Sequence, residues 1–564
     1  MATNTADSLG PPGPSVHARW LPAVEIALIL MVFAAQAAWP APDVNEPHYL
    51  GKAKHYWNTA WAPRDFFFDS SDTHRVFYVA CGWLTRRLTL TQFAWGGRLI
   101  IWLFLSWAWR RLSWSIVPRP GWSVATALIF LTLNVGCHLA GEWVIGGFEA
   151  KGLAYVLVLA AVREYLNQRW NIALVLAGAA AAVHVLVGGW FAVALGLCWL
   201  LSPDRPLLGR LWPGLLSGFA LALAGVWPAL ELNWGVEPQM IAEANDIYVF
   251  RRLRHHLVPQ AFGWQALLRY LSMLVGWLVF TRLASRICRE RPLWRSAAAR
   301  RDVGSQNAER HGVRSLQAAI GQPVERLQRL VIASLVISLA GLVIAVTTVN
   351  QPELSAALLR YYWFRLGDVM PPIGVALLAG AVGANLVRGR RIWFAGCLSA
   401  AVALAAASHQ EYAIAGLFQN IPRGDRPPKV LDYADWRAAC VWIAAHTPDD
   451  TLVLTPRTAQ TFTWYADRGE VVSWKDLPQD AAAIVEWWRR LEDIHGTPVP
   501  DAQGRWHESL TELPVARLRQ LAAKYSASYL LAEAQPPLSL PRLYVNQSYA
   551  VYEFQTPFQN GPAK

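Results

Sequence analysis

Charge is scarce in this 564-residue chain: Asp, Glu, Lys and Arg make up 16% of it, against 54% hydrophobic residues. That is too little to cover a water-soluble fold of this length, which excludes an ordinary soluble enzyme. Cysteine is scarce as well. Cys81, Cys137, Cys198, Cys288, Cys397 and Cys440 are scattered without CxxC spacing, and five lie in or beside apolar runs, a pattern that gives neither a disulfide framework nor a zinc site. A one-sided basic face is missing too. The formal charge is +12, but the positive residues are mostly Arg set between apolar segments, so membrane topology explains them and nucleic acid does not.

What is abundant is tryptophan, thirty in all, with a cluster (Trp102, Trp107, Trp109, Trp114, Trp122) flanking apolar runs. Amphipathic rings of this kind prefer the headgroup layer of a bilayer. Apolar segments fall near 21–39, 92–109, 122–140, 148–162, 171–187, 188–201, 212–231, 264–281, 330–349, 369–387 and 392–408. Several approach the roughly 20 residues that a crossing helix needs. The expected fold is therefore mostly α: a polytopic transmembrane bundle of about eleven helices over 21–408, followed by an extracytoplasmic α/β domain over 409–564. Segments 148–162 and 188–201 are short, and Gly188 and Gly189 open the second; such spans border binding cavities in many membrane proteins, although a boundary shift of a few residues explains them equally.

Residues 1–20, rich in Pro, Gly, Ser and Thr, are expected to be a disordered cytoplasmic tail. Arg19 before the first apolar run also permits a cleaved signal peptide, which would leave everything downstream in the same orientation. Loop 282–329 holds eleven Arg against Glu290, Asp302, Glu309 and Glu325, which places it in the cytoplasm. With Arg110 and Arg111, Arg163 and Arg169, Arg205 and Arg210, and Arg388, Arg390 and Arg391 also inside, alternate loops agree and eleven crossings put residue 409 outside. In 409–564 the pattern predicts helices at 436–446, 481–494 and 510–524 and strands at 451–454, 528–531 and 544–554, the last with a turn at Asn546-Gln547-Ser548. No catalytic motif is visible there, and a supporting or acceptor-binding role is expected.

The outer side collects the unusual polar residues. The first external loop, 40–91, opens Asp43-Val44-Asn45-Glu46-Pro47-His48-Tyr49 and continues through Lys52, His55, Asp69, Asp72, His74 and Arg75. A carboxylate held where a helix leaves the bilayer is partly desolvated, which suits it to take a proton or hold a metal; the plain alternative is a solvated loop. Trp57, Trp61, Phe66 to Phe68, and the stretch 76–90 with Arg86 and Arg87, predict pieces lying along the interface. Glu149 and Lys151 sit at the outer end of one span and His184 near that of another, positions where ionisable groups are paired or functional. Arg251, Arg252, His255 and His256 form an external cationic cluster in which Arg can grip phosphate as a fork, with a surface helix neutralised by Glu237, Glu243 and Asp246 as the rival reading. Arg360 and Arg365, set among aromatics, form a second cationic group that interfacial anchoring alone would also produce.

This layout resembles the membrane glycosyltransferases of the GT-C fold, which transfer sugars from polyprenyl-phosphate donors on the outer side. An outward first helix, an acidic first loop, interfacial helices, eleven to thirteen crossings and an external C-terminal α/β domain recur over nearly the whole chain. Asn45-Glu46 with Tyr49 looks like the Asp-Glu and downstream Tyr of arabinose- and mannose-transferring members, with Asn45 in place of the expected Asp. No oligosaccharyltransferase signature is present. The chain also looks like uncharacterised multi-spanning proteins of environmental bacteria that share the acidic loop and paired His.

The resemblance implies a bacterial inner-membrane transferase in which Glu46 or Asp43 activates an acceptor hydroxyl. Arg251, Arg252, His255 and His256, with Arg360 and Arg365, would stabilise the departing lipid phosphate, and His184, Glu149, Lys151 and His48 would line the substrate site. The implied partners are a lipid-linked sugar donor, membrane lipids and an acceptor of unspecified kind, with no nucleic acid; a divalent metal stays open. A transporter or flippase for an anionic lipid would use the same cations but predicts polar residues on both sides. A noncatalytic envelope protein predicts that the acidic and cationic loops lie far apart.

Overall fold

The computed structural model describes residues 16–290, 306–386, 420–497 and 505–554. The apolar segments expected before residue 390 are all helical; the one at 392–408 lies outside the described residues, as do residues 1–15 of the expected tail and part of the Arg-rich loop. The chain opens with α1 (Val16–Ala37), and the first loop folds as α2 (Glu46–Trp57) and α3 (Arg75–Cys81). The bundle continues through α4 (Leu90–Ile116), α5 (Trp122–Gly136), α6 (Ala150–Leu166), α7 (Trp170–Val183), α8 (Val185–Leu201) and α9 (Leu208–Glu231). Then come α10 (Pro238–Asp246), a π-helical turn (Ile247–Arg252), α11 (Arg254–Leu257), α12 (Trp264–Glu290), α13 (Gln306–Thr347), α14 (Pro352–Leu359) and α15 (Met370–Leu386).

Four helical stretches, Trp20–Ala37, Leu208–Glu231, Trp264–Arg286 and Gln322–Thr347, are long and apolar enough to cross a membrane. Their outer faces expose large apolar side chains such as Trp212, Phe219, Leu271 and Leu339. In water these faces would form an extended sticky patch, whereas lipid solvates them. The chain is an integral membrane protein.

Local chemistry sets the ends and contacts of these helices. Thr89 Oγ1 accepts from Gln92 N at 3.2 Å while Gln92 Oε1 accepts from Thr89 N at 3.0 Å, a reciprocal cap that starts α4 after the interfacial stretch. The break between α7 and α8 falls at His184, four residues before the Gly188 where the sequence pattern puts it. The backbone of His184 is extended there, and its ring caps α8 by accepting from Val187 N. Gly188 is inside α8 for a different reason: a Cβ there would lie 2.0 Å from Ala181 N of α7.

Small residues also let α7 and α9 touch backbone to backbone, which is how helices associate where lipid removes the hydrophobic drive. A Cβ on Gly178 would come within 2.0 Å of Gly218 O. Gly178→Ala is therefore expected to lower stability by about 1–3 kcal/mol, seen as a lower thermal midpoint in detergent. Gly96→Ala, where a Cβ meets nothing within 4 Å, is the control that should leave the midpoint in place.

The C-terminal region contains α16 (Tyr433–His446), β1 (Leu452–Leu454), α17 (Phe462–Ala466), β2 (Gly469–Glu470), α18 (Ala481–His495), α19 (Val515–Tyr525), β3 (Tyr529–Glu533), β4 (Arg542–Val545) and β5 (Tyr549–Glu553). The strands form one mixed sheet in the order β2-β1-β3-β5-β4, with β1 parallel to β2 and β3 and the remaining pairs antiparallel. Alternation along the strands fills both faces. Leu452, Leu454, Leu530, Ala532 and Tyr552 pack with Trp487, Leu491 and Leu518 on one side, while Val453, Leu531 and Val551 meet Trp436, Cys440 and Ile443 on the other. The first of these cores also takes in Ile247, Val249, Leu257 and Leu359, so the segments around α11 and α14 are packed into the C-terminal domain.

Candidate active site

Between the first loop, the α5–α6 loop, the π-helical turn with α11, and the C-terminal domain lies a polar cleft of about 800 Å³. The first loop and the C-terminal domain clasp each other around it. Gln460 Nε2 donates to Val44 O at 2.9 Å, Glu470 N donates to Asp65 Oδ2 at 3.0 Å, and His48 Nδ1 lies 3.3 Å from Asp476 Oδ1.

Of the residues singled out in the sequence, His48, Glu149, Lys151, His184, Arg252, His256 and Arg365 line this cleft. The acidic and cationic loops are thus in one place. Arg251 and Arg360 are not part of it. Arg251 Nε pairs with Asp246 Oδ2 at 2.8 Å and its guanidinium lies over the Trp488 ring, while Arg360 Nη1 donates to Asn245 Oδ1 at 2.5 Å. Arg251 and His255, four apart in the sequence, do not share one helix face, because the chain is π-helical through Arg252 and restarts at Arg254. His255 faces a neighbouring cavity instead.

Glu46 is the clearest departure from expectation. It is fully buried and accepts four hydrogen bonds: from Arg98 Nε (2.6 Å) and Nη2 (2.5 Å), Phe148 N (2.8 Å) and Asp43 N (2.8 Å). Arg98 Nη1 is also tied, to Trp39 O at 2.5 Å. A carboxylate held this way has no lone pair directed at a substrate, so its position is that of a post on which the Gly147–Phe148 turn hangs. A Cβ on Gly147 would sit 3.0 Å from both Asp43 Cβ and Glu46 Oε1, which is why that turn needs glycine. Asp43 is buried beside it, accepting from Val44 N at 2.8 Å, with Arg423 Nη1 of the C-terminal domain 3.9 Å away.

One residue after Phe148 comes Glu149, the carboxylate that faces the cleft. It is 2% exposed; Asn45 Nδ2 donates to its Oε1 at 3.1 Å, and Oε2 has no hydrogen-bond partner. Lys151 Nζ is 3.5 Å from Oε2, and it also stands 3.4 Å from the centre of the Trp143 ring. Burial raises the pKa of Glu149, helped by Asp43 and opposed by Lys151. Asn45, which breaks the acidic pair seen in the resembling enzymes, here serves to orient that carboxylate.

Across the cleft, Arg365 Nε lies 3.0 Å from Glu142 Oε2, an ion pair whose angle is not that of a hydrogen bond, and Tyr155 donates to the other Glu142 oxygen at 2.9 Å. Arg365 Nη1 is 3.5 Å from His184 Nε2. The sequence reading missed Lys475, which the C-terminal domain inserts into the cleft. Burial and then the charge of Arg252 bring its ammonium down to about 7. One signal was there: the chain has seven lysines among 51 basic residues.

Glu142 and Glu149 thus balance Arg365 and Lys151, whereas Arg252 and Lys475 have no ion-pair partner among the described residues. The cleft carries an excess of positive charge and selects anions. Among the described residues no three His, Cys, Asp or Glu side chains stand close enough to hold a metal ion, and Lys151 occupies the place beside Glu149 where a cation would sit.

A second cavity, about 1100 Å³, lies on the other side of Gly141, Trp143 and His256, which line both. Arg269, His255 and Arg423 also face it. Arg269 in turn heads an apolar groove of about 1210 Å³ between α5, α12 and α15, walled by Trp122, Leu133, Met273, Phe280 and Val375.

Residues 434–494 match a family described as a domain of unknown function (DUF6798). No curated protein matches in sequence. Among solved structures, the oligosaccharyltransferase of Archaeoglobus fulgidus is similar in two forms. The apo form has a TM-score of 0.44 at 13% identity, and the form tethered to an acceptor peptide containing the NVT sequon has 0.42 at 11%, each covering 92% of this chain and 70% of the other. ArnT from Cupriavidus metallidurans in the apo state gives 0.35 at 13% identity, over 95% of this chain and 98% of the other. Superpositions with TM-scores below 0.5 fix neither fold nor activity; the family match covers only part of the C-terminal domain and carries no described chemistry.

Proposed function

We propose that the chain is a membrane glycosyltransferase that moves a sugar from a polyprenyl-phosphate donor to an acceptor on the exoplasmic face. The observation that carries this reading is continuity: an apolar groove between helices leads past Arg269 into a polar cavity, and only Gly141, Trp143 and His256 separate that cavity from a cationic cleft holding a buried, open-faced carboxylate. A ligand with a long apolar tail, a phosphate and a sugar fits that sequence of environments. The tail lies in the groove, Arg269 and Arg423 meet the phosphate, and the sugar stands at the partition.

The acceptor enters the cleft from the other side. Glu149 takes the proton from its attacking hydroxyl, and the oxygen forms the new bond to the sugar carbon as the bond from that carbon to the phosphate oxygen breaks. The departing lipid phosphate keeps the electron pair and is stabilised by the guanidinium groups that bound it. Glu46, with Arg98, holds the turn that aims Glu149, and Asp43 supports it from beneath.

Purified protein in proteoliposomes is expected to transfer sugar from a polyprenyl-phosphate-linked donor. Arg269→Gln removes one charged partner of the phosphate, worth about 1.5–3 kcal/mol, so the donor KM should rise about tenfold or more with kcat little changed. Transport of a polyprenyl phosphate across the bilayer with no glycosidic product would instead establish the flippase reading.

A further inference from the structure

Three histidines line the cleft; His48 is paired with Asp476, and the hydrogen bonds of the other two fix opposite tautomers. A backbone carbonyl can only accept, so the contact of 2.5 Å from His256 Nδ1 to Ala140 O places a proton on Nδ1. A backbone N–H can only donate, so the contact of 3.4 Å from Val187 N to His184 Nδ1 leaves that nitrogen bare and puts the proton on Nε2. The close approach of His256 depends on Gly141, whose φ is +74° and where a Cβ would stand 2.9 Å from His256 Cε1. His256 is held neutral: burial, then the neighbouring His255, then Arg365 and Lys151 bring its pKa to about 3, against the opposing bond to Ala140. Its Nε2 therefore offers a lone pair, and no described group hydrogen-bonds to it.

The two ends of the cleft consequently ask for different chemistry. His184 Nε2–H and Arg365 Nη1, 3.5 Å apart, are both donors and do not bond each other; an oxygen that accepts from both satisfies them. Arg252 and Lys475 add positive charge without an ion-pair partner among the described residues. His256 Nε2, at the partition with the donor cavity, requires a group that donates, and among neutral ligands with many oxygens that is a hydroxyl.

We infer that the acceptor is an acidic saccharide or saccharide headgroup, bound in one orientation: its carboxylate or phosphate against Arg365 and His184, and a hydroxyl other than the attacking one donating to His256 Nε2. This rests on the transferase reading only for the word acceptor, since the orientation follows from the tautomers. Carboxylate and phosphate share the chemistry that the cleft recognises, so the test includes both.

Nitrogen-15 spectra of histidine-labelled full-length protein in nanodiscs, assigned with His256→Asn and His184→Asn, should show His256 as the Nδ1–H form and His184 as the Nε2–H form; a shared tautomer overturns the proposal. In the same nanodiscs, without donor, butyl glucuronide and butyl glucoside 6-phosphate should each bind at least tenfold more tightly than butyl glucoside. Arg365→Gln should erase that margin while leaving the neutral probe unchanged. His256→Asn keeps an N–H toward Ala140 but has no acceptor at the Nε2 position. It should weaken all three glycosides about tenfold and leave butyl phosphate unaffected. Equal binding of neutral and acidic probes, or equal loss of butyl phosphate in His256→Asn, overturns the orientation. An intact margin with no sugar transfer overturns the transferase reading and leaves this one standing.

Discussion

Glu46→Gln is expected to cost the folded chain about 3–5 kcal/mol, the range for removing one partner of a buried ion pair. Arg98 is fully buried, and its guanidinium spends two of its N–H groups on Glu46 and another on Trp39 O. An amide in place of the carboxylate presents one oxygen and an NH2 that meets the guanidinium donor to donor, leaving a charge uncompensated in a dry site. The backbone N–H groups of Asp43 and Phe148 compete for what remains. Poor yield and a sharply lower thermal midpoint in detergent are the expected signs. Glu46→Met with Arg98→Met removes both charges together, and should be more stable than either single change. A Glu46→Gln protein with the wild-type midpoint would show that the pair does not hold the loop.

Glu149→Gln should act in the opposite way: little loss of stability, and a fall in transfer rate of about 10²–10⁴-fold, the range contributed by a positioned general base. Folding tolerates the change better than at Glu46 because Oε2 has no hydrogen bond to lose, the amide oxygen still accepts from Asn45, and Lys151, left without its ion-pair partner at 3.5 Å, keeps its place over the Trp143 ring. The pH profile supplies an independent readout. Burial raises the pKa of Glu149, so the wild-type rate should climb with pH through a region above the ordinary carboxylate range as the carboxylate ionises. Lys475, brought to about 7, loses its charge as pH rises past neutrality, which weakens the hold on an anionic ligand and bends the profile down. In Glu149→Gln the rising limb should be gone and the falling limb should persist; a variant that keeps both limbs and most of its rate would remove Glu149 from the chemistry.

These two glutamates, Glu46 and Glu149, show what a sequence can and cannot display. The helices were legible because apolar length and flanking tryptophans are local properties, and β1, β3 and the β4–β5 hairpin were legible as short apolar runs and a turn at Asn546-Gln547-Ser548. β2 was not, since Gly469 and Glu470 carry no strand signal and pair only because β1 lies beside them. The cationic cluster at 251–256 was visible as a cluster, but a π-helical turn sorts it. Arg252 and His256 turn to the cleft, His255 to the neighbouring cavity, and Arg251 to Asp246. Glu46 stood out for its place after the first helix. What neutralises it is Arg98, fifty-two residues on and inside α4, where a lone arginine in an apolar run announces a buried partner without naming it. Lys475 could be found only by noticing how sparingly this chain uses lysine.

The cleft draws its walls from residues as early as Asn45 and as late as Gln479. A ribosome adding ~5–20 residues per second makes these parts well apart in time, with the helices synthesised before Arg423 and Lys475 exist. Until the last of these segments has been made and folded against the first loop, the newborn protein has helices suited to lipid but no finished cleft. Completion of the cleft thus waits on the C-terminal region.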